Sequence, residues 1–298
     1  MSESGGGASL LVTRSRRLAT LADRRLGLEP RTPPSRERAR QLHEHIDGFV
    51  TPRAADIDAP VLVVLLGPTG AGKSSLMNAI AGAAVSRAGV LRPTTREAVL
   101  YAVTDDAHRL RSEGRLRRVA ADRLIHVVAP NANAGVAIVD APDIDSVERD
   151  NRILAETLLE ACDLCIFVTT ATRYADLVPW DILHRIRQRE VPLMIVLNRL
   201  PTDAEDRAVV VADAARLLEE HGLRQASGKI DVIPVDEGDL APEVQGVSRE
   251  AVRAVRDRID LLASTVEERR RLASEALAGA LRGLVPLVGD VAKDLEQE

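Results

Sequence analysis

The sequence predicts an α/β fold: a mostly parallel sheet with helices on both faces, flanked by helices that form a bundle. Three observations carry this. Short apolar runs rich in Val and Ile alternate with helix-periodic segments between Val61 and Val235, as expected of strands buried on both faces and joined by crossover helices. Helix-spaced apolar residues flank this zone, with Leu10, Leu11, Leu18, Leu21 and Leu26 before it and Val252, Val255, Ile259 and Leu262 after it. A glycine-rich stretch, "GPTGAGKSS" (Gly67 to Ser75), joins the first apolar run to the first helical segment.

Taken in order, residues 1–8 are expected to be disordered, and 9–58 form an N-terminal helical segment. Ser9 to Leu26 reads as a helix, "EPRTPPS" breaks it, and Arg36 to Phe49 reads as a second one. "TPRAADIDAP" reads as a linker, with Pro60 at the boundary of a domain spanning 59–240. Its strands are expected at Val61–Leu66, Ala98–Val103, Ile125–Val128, Val136–Val139, Leu164–Val168, Leu193–Leu197 and Ile230–Val235. Helices are expected near Lys73–Gly82, Arg149–Ala161, Pro179–Arg189 and Asp203–His221, and the basic stretch Arg109–Arg123 reads as a solvated insertion. Residues 247–298 are helical. Arg249–Glu268 reads as one long helix, followed by Arg269–Leu295, whose Gly279, Gly283, Pro286 and Gly289 argue against a continuous helix. These helices are expected to pack with the N-terminal ones or to continue into a further region.

Composition sets limits on function. Hydrophobic residues make up 45% but aromatics only 2%, so Leu, Val, Ile and Ala must fill the core. The net charge of −5 counts against a dedicated nucleic-acid binder. Cys162 and Cys165 point to a reducing compartment and to core packing rather than redox work. No signal peptide is legible, and no uninterrupted apolar run reaches the ~18 residues of a membrane span. A cytoplasmic chain is expected.

Gly67-x-x-x-x-Gly72-Lys73-Ser74 matches the P-loop, in the strand-to-helix context that the motif needs. Small residues let successive N–H groups curl around phosphate oxygens, and the helix start adds its positive dipole end. Gly67, Pro68, Thr69, Gly70, Ala71, Gly72, Lys73, Ser74 and Ser75 are thus candidate nucleotide contacts. Lys73 would sit on the β- and γ-phosphates, and the Ser74 hydroxyl would ligate Mg²⁺. The bland alternative is a glycine-rich turn. The loop by itself suits ATP or GTP equally.

Two further stretches follow in order: "RPTTRE" (Arg92 to Glu97), and "VDAPDIDSV" (Val139 to Val147) at the end of an apolar run. With the P-loop, these resemble the Era-like and dynamin-like, translation-factor-related GTPases. "VDAPDIDS" is also similar to actinobacterial dynamin-family GTPase-domain proteins. The resemblance implies that Thr95 completes Mg²⁺ coordination when a γ-phosphate is present and that Asp140 holds the metal through water. It also implies that Asp143, at the position of a switch glycine, gives its N–H to the γ-phosphate. A carboxylate beside phosphate is repelled by ~4 kcal/mol at 4 Å and an effective dielectric of 20. Asp143 must therefore point away, or bind a cation or water. Ile144 stands where a water-orienting Gln is found in Ras-like enzymes, so intrinsic hydrolysis should be slow.

"PLMIVLNRLPTD" ends a strand with Asn198-Arg199. The resemblance makes these base-reading residues, with Arg199 stacking in place of a lysine stem. The guanine-reading aspartate is replaced by Pro201, and Asp203 comes two residues late. Arg173 reads either as an arginine finger or as a surface ion pair. The function implied is a Mg²⁺-dependent GTP/GDP-binding GTPase of low intrinsic rate, helped by dimerisation across the nucleotide or by a partner. A peripheral membrane or protein partner would use the flanking helices. The alternatives are a nucleotide-loaded interaction module with little hydrolysis, or a P-loop ATPase.

Overall fold

A computed structural model describes residues 4–30, 32–87, 97–112, 114–128, 132–223, 230–237, 240–241 and 246–298. Seven strands form the main sheet in the order β3-β2-β4-β1-β5-β6-β7. They are β1 (Val61–Leu66), β2 (Ala98–Tyr101), β3 (Leu124–Val127), β4 (Val136–Asp140), β5 (Leu164–Thr170), β6 (Leu193–Leu200) and β7 (Asp231–Asp236). Every neighbouring pair is parallel except β2 with β4. Each expected strand lies within a few residues of its observed place.

β1 shows why these strands carry no alternation of polar and apolar residues. Leu62, Val64 and Leu66 pack into one core, with Leu158 and Phe167. Val61, Val63 and Leu65 pack into the opposite core, with Ile166 and Leu262. Successive side chains of a strand point to opposite faces, so a central strand covered on both must be apolar throughout.

Helices α1 (Ser4–Gly27), α2 (Pro33–His45) and α3 (Thr51–Ala55) precede the sheet, with a π-helical turn Ile46–Val50 between the last two. α4 (Lys73–Ala81), α5 (Thr104–Ser112), α6 (Arg149–Ala161), α7 (Leu177–Gln188) and α8 (Ala204–Glu220) lie between strands. A two-stranded ribbon, β8 (Leu240–Ala241) and β9 (Gly246–Val247), leads to α9 (Arg253–Ser264) and α10 (Val266–Gln297). A separate core joins the two ends of the chain: Leu42, Ile46 and Phe49 pack with Ala276, Ala280, Leu284 and Val291.

The structure corrects several expectations. Helix begins at Ser4, within the stretch 1–8 expected to be disordered. Thr51–Ala55 of the expected linker is helical, because the π turn carries the helical path on from α2. The Arg109–Arg123 stretch is not a solvated insertion, since Leu110, Leu116 and Val119 enter the sheet core and Arg115 is buried. The helix expected across Arg249–Glu268 stops at Thr265, whose extended backbone separates α9 from α10. α10 runs unbroken through Pro286. Its Gly279 and Gly283 have a packing role: a Cβ there would lie 2.6 Å from Glu190 O and 2.8 Å from Gln188 O. By length and composition α10 is also long and apolar enough to cross a membrane, which corrects the expectation that no segment is. Its apolar content serves two cores: Leu272 packs against the sheet, and Ala276 and Leu284 are buried in the bundle.

Candidate nucleotide site

The site forms at the carboxyl ends of β1, β4, β5 and β6. Gly67 follows β1 at φ +153, and a Cβ on it would stand 2.0 Å from Val168 O of β5. The chain therefore turns where only glycine lets two strands approach this closely. Pro68, Thr69, Gly70 and Ala71 continue the loop. Gly72 caps α4 at φ +102, and a Cβ there would meet Asn198 Nδ2 at 2.2 Å. Asn198 Nδ2 donates to Ala71 O at 2.9 Å. The end of β6 thus braces the loop against the start of α4.

Lys73 opens α4 and is buried. Its Nζ donates to Gly67 O (2.9 Å), Pro68 O (3.1 Å) and Asp143 Oδ1 (2.6 Å). Of the expected options for Asp143, binding a cation is the one observed, and the cation is the P-loop lysine. Ser74 Oγ donates to Asp140 Oδ2 at 2.6 Å, and Ser86 Oγ donates to the same oxygen at 2.7 Å. Asp140 Oδ1 is buried with no hydrogen-bond partner among the described residues. Burial raises the Asp140 carboxyl above the usual range, against the pull of the nearby Lys73 charge. Ser75, in the first turn of α4, has its carbonyl packed against Gly246 of β9.

These donors fit a magnesium ion. Mg²⁺ takes one or two protein oxygens and completes its shell with water and phosphate. A buried carboxylate oxygen without a partner, beside a serine hydroxyl, is the kind of donor set it uses. No group of three or more His, Cys, Asp or Glu gathers among the described residues, so a dedicated all-protein cage is not present there. Thr95 falls outside the described residues.

The turn after β4 reaches the loop twice. Asp145 Oδ1 accepts from Thr69 N and from Thr69 Oγ1, both at 2.7 Å. Asp145 Oδ2 accepts from Arg173 Nη2 at 2.9 Å, and Arg173 Nη1 donates to Thr69 O at 2.9 Å. Burial works to raise the Asp145 carboxyl, but Thr69 and Arg173 bring it below the usual range. Ile144, between the two acids, is buried in the sheet core with Leu66 and Ala141.

At the far end of the site, Arg199 adopts a left-handed backbone at φ 54 and is exposed. Its N–H donates to Asn198 Oδ1 at 2.8 Å. Asp203 is engaged elsewhere: its carboxylate caps α8, accepting from Glu205 N and Asp206 N. Cys162 and Cys165 are buried free thiols, and burial pushes Cys162 up to about 12, so neither is a reactive thiolate. His45 is buried, with Nε2 3.1 Å from Ala280 O and Nδ1 accepting from Arg189 Nε at 3.0 Å.

Sequence reading missed Asp145, Ser86 and the role of Arg173 on the loop. Ser86 is positioned by Asn78, whose Oδ1 accepts from Ser86 N at 2.8 Å. No motif marks either serine or asparagine. Asp145 could have been singled out as a second acid two residues beyond Asp143.

Residues 62–199 match the family model described as 50S ribosome-binding GTPase. A curated relative from Arabidopsis thaliana, "Probable transmembrane GTPase FZO-like, chloroplastic", is 28% identical over 146 residues, covering 48% of this chain and 15% of its own length. Among solved structures, Era in complex with MgGDPNP and a piece of 16S ribosomal RNA is similar at 18% identity and a TM-score of 0.44, over 66% of this chain and 56% of that one. A protein of an oligomerised bacterial dynamin pair is similar at 14% identity and a TM-score of 0.49, over 97% of this chain and 56% of that one. The chain thus spans a small part of the curated relative and about half of these solved chains.

Proposed function

We propose that this chain, with its P-loop GTPase domain over residues 62–199, is a Mg²⁺-dependent GTP/GDP-binding switch with slow intrinsic hydrolysis. The observation that supports it most is the buried, unpartnered Asp140 Oδ1 beside Ser74 and Lys73. Ser74 and Asp140 are the residues that would hold Mg²⁺, with Thr95 proposed to join them when a γ-phosphate is present. The bound ion would neutralise charge on the β- and γ-phosphates. Lys73 would leave the Gly67 and Pro68 carbonyls and Asp143 for those phosphates.

The slow rate follows from Ile144, which is buried and apolar where a polar side chain could orient water. A second copy across the nucleotide face is proposed to help. Asn198 and Arg199 are proposed to flank the base, and Asp203, which caps α8, is not free to read guanine. Peripheral membrane contact through α10, which exposes Val285, and a cytoplasmic location complete the reading.

Competition of GTP and ATP for a fluorescent guanine nucleotide tests it. GTP should displace the probe about tenfold better than ATP, the scale of one base-edge hydrogen bond of roughly 1–3 kcal/mol supplied by a group other than Asp203. Lys73→Ala should lose binding. Equal displacement would make the protein a P-loop ATPase or a nonselective binder. Tight binding with no turnover, at high protein concentration and with vesicles, would make it an interaction module.

A further inference from the structure

Two cations line the rim of the phosphate loop, and acids of one turn hold both. Lys73 Nζ donates to Pro68 O at 3.1 Å, and Arg173 Nη1 donates to Thr69 O at 2.9 Å. Adjacent peptide carbonyls of the loop therefore carry one cation each. Asp143 Oδ1 accepts from Lys73 at 2.6 Å, and Asp145 Oδ2 accepts from Arg173 at 2.9 Å. Asp176 Oδ2 accepts from Arg173 Nε at 3.0 Å. The Arg173 side chain is about one-third exposed, at 33%, so it is not locked in the core. It follows β5, the strand whose Val168 carbonyl abuts Gly67.

We propose that Arg173 is a catalytic residue supplied by the same chain: GTP takes Lys73 from Asp143 and Arg173 from Asp145, so both cations come to the γ-phosphate. The inference rests on the GTP reading above. Carboxylate and phosphate oxygens are interchangeable acceptors for a guanidinium fork, which pairs bidentately with either. The two aspartates thus hold, in one turn, the places that phosphate oxygens would take. They are also repelled by an arriving phosphate, so the turn that carries them moves when GTP enters. During hydrolysis a water oxygen bonds to the γ-phosphorus, and the bond from that phosphorus to the β–γ bridging oxygen breaks. The bond's electron pair stays on GDP, and the water's proton leaves with inorganic phosphate. Arg173 stays protonated and stabilises charge on the transferring group and bridging oxygen. Arg173 has no acceptor to orient the attacking water, which the buried Ile144 also leaves unheld, so hydrolysis stays slow with this cation in place.

The test compares wild type, Arg173→Ala, Arg173→Lys and Asp145→Asn. For each, the affinities for GDP and for a non-hydrolysable GTP analogue are measured, with single-turnover GTP hydrolysis. Arg173→Ala should weaken the analogue about tenfold or more while GDP stays within about twofold, because the lost contact is a charge-assisted bond to the γ-phosphate. Its hydrolysis rate should fall about 10²-fold or more. Arg173→Lys should recover affinity better than rate, since the fork is lost and the charge kept. Asp145→Asn, which removes one of the two anions on the arginine, should tighten the analogue. Equal losses for GDP and analogue, or an unchanged hydrolysis rate, would overturn the proposal and leave Arg173 as a brace on Thr69. If Arg173→Ala does not fold, the lysine and asparagine variants decide: weaker analogue binding in Asp145→Asn overturns it. A wild-type chain that binds no GTP would instead remove the GTP reading itself, and this inference with it.

Discussion

Asp163 and Asp140 are buried acids at opposite ends of the same sheet, and their surroundings differ in kind. Asp163, just before β5, is fully buried and saturated. Arg53 Nε donates to it at 2.9 Å, Arg115 Nη1 at 2.5 Å and Leu62 N at 2.7 Å. Arg53 comes from α3 and Arg115 from the segment after α5, so one carboxylate ties the N-terminal helices and that segment to the sheet. Burial works to raise its carboxyl, but the Arg115 and Arg53 charges bring it below the usual range. Burial and the adjacent Arg53 charge in turn bring Arg115 down to about 10. Asp140, at the end of β4, keeps one buried oxygen unpartnered among the described residues, and burial raises its carboxyl. A saturated buried acid is a structural tie, whereas an unsaturated one stores an unfavourable contact that a ligand can relieve.

The largest expected effect is on the tie. Asp163→Asn leaves two buried guanidinium charges without their anion and should cost about 3–5 kcal/mol, read from denaturant unfolding. A loss under about 1 kcal/mol would mean that the cluster is not the joint it resembles. The same acid sets a pH dependence. Its folded value lies below the unfolded value of about 3.9, so its contribution is complete above that pH and lost as pH falls below it. The stability gap between wild type and Asp163→Asn should close as pH drops from about 5 toward 2.

Gly67→Ala should come next. Its Cβ would fall 2.0 Å from the Val168 carbonyl of β5, so the loop or the strand must shift. Both stability and nucleotide binding should fall, with a stability cost above the ~1 kcal/mol of a typical substitution. Asp140→Asn should do the opposite to the nucleotide-free protein. The raised carboxyl makes the folded state lose stability as pH climbs from about 3.9 through its folded value, so at neutral pH its charge is a cost. The neutral amide should raise the melting temperature of the nucleotide-free protein while impairing the site. The smallest effect is expected from Arg270→Ala, which removes an exposed ion pair with Asp58. No measurable change in melting temperature should follow.

How far this contrast was legible in the sequence depends on the range of the contacts. The P-loop, the seven strands and the strand-end Asp140 and Asn198 each rest on a local pattern of glycine, apolar run and polar stop. The partners did not follow from such patterns. Asp143 on Lys73, Asp145 on Thr69, and Arg115 on Asp163 join segments far apart in the chain, and nothing local says which arginine will be buried. The Arg109–Arg123 stretch reads as solvated because its charge is visible and its anion, Asp163, is not. The break at Thr265 was equally hidden, since helix-forming residues continue on both sides of it and only packing sets the angle.

The most direct test of the site is the effect of Mg²⁺ on GTP affinity in wild type and in Asp140→Asn. In wild type, Mg²⁺ should tighten GTP binding by about tenfold or more, the scale of one charge-assisted contact. In Asp140→Asn that gain should largely vanish, although the nucleotide-free protein is at least as stable. An equal Mg²⁺ gain in both proteins would contradict the assignment and make Asp140 a buried acid with no ligand to answer.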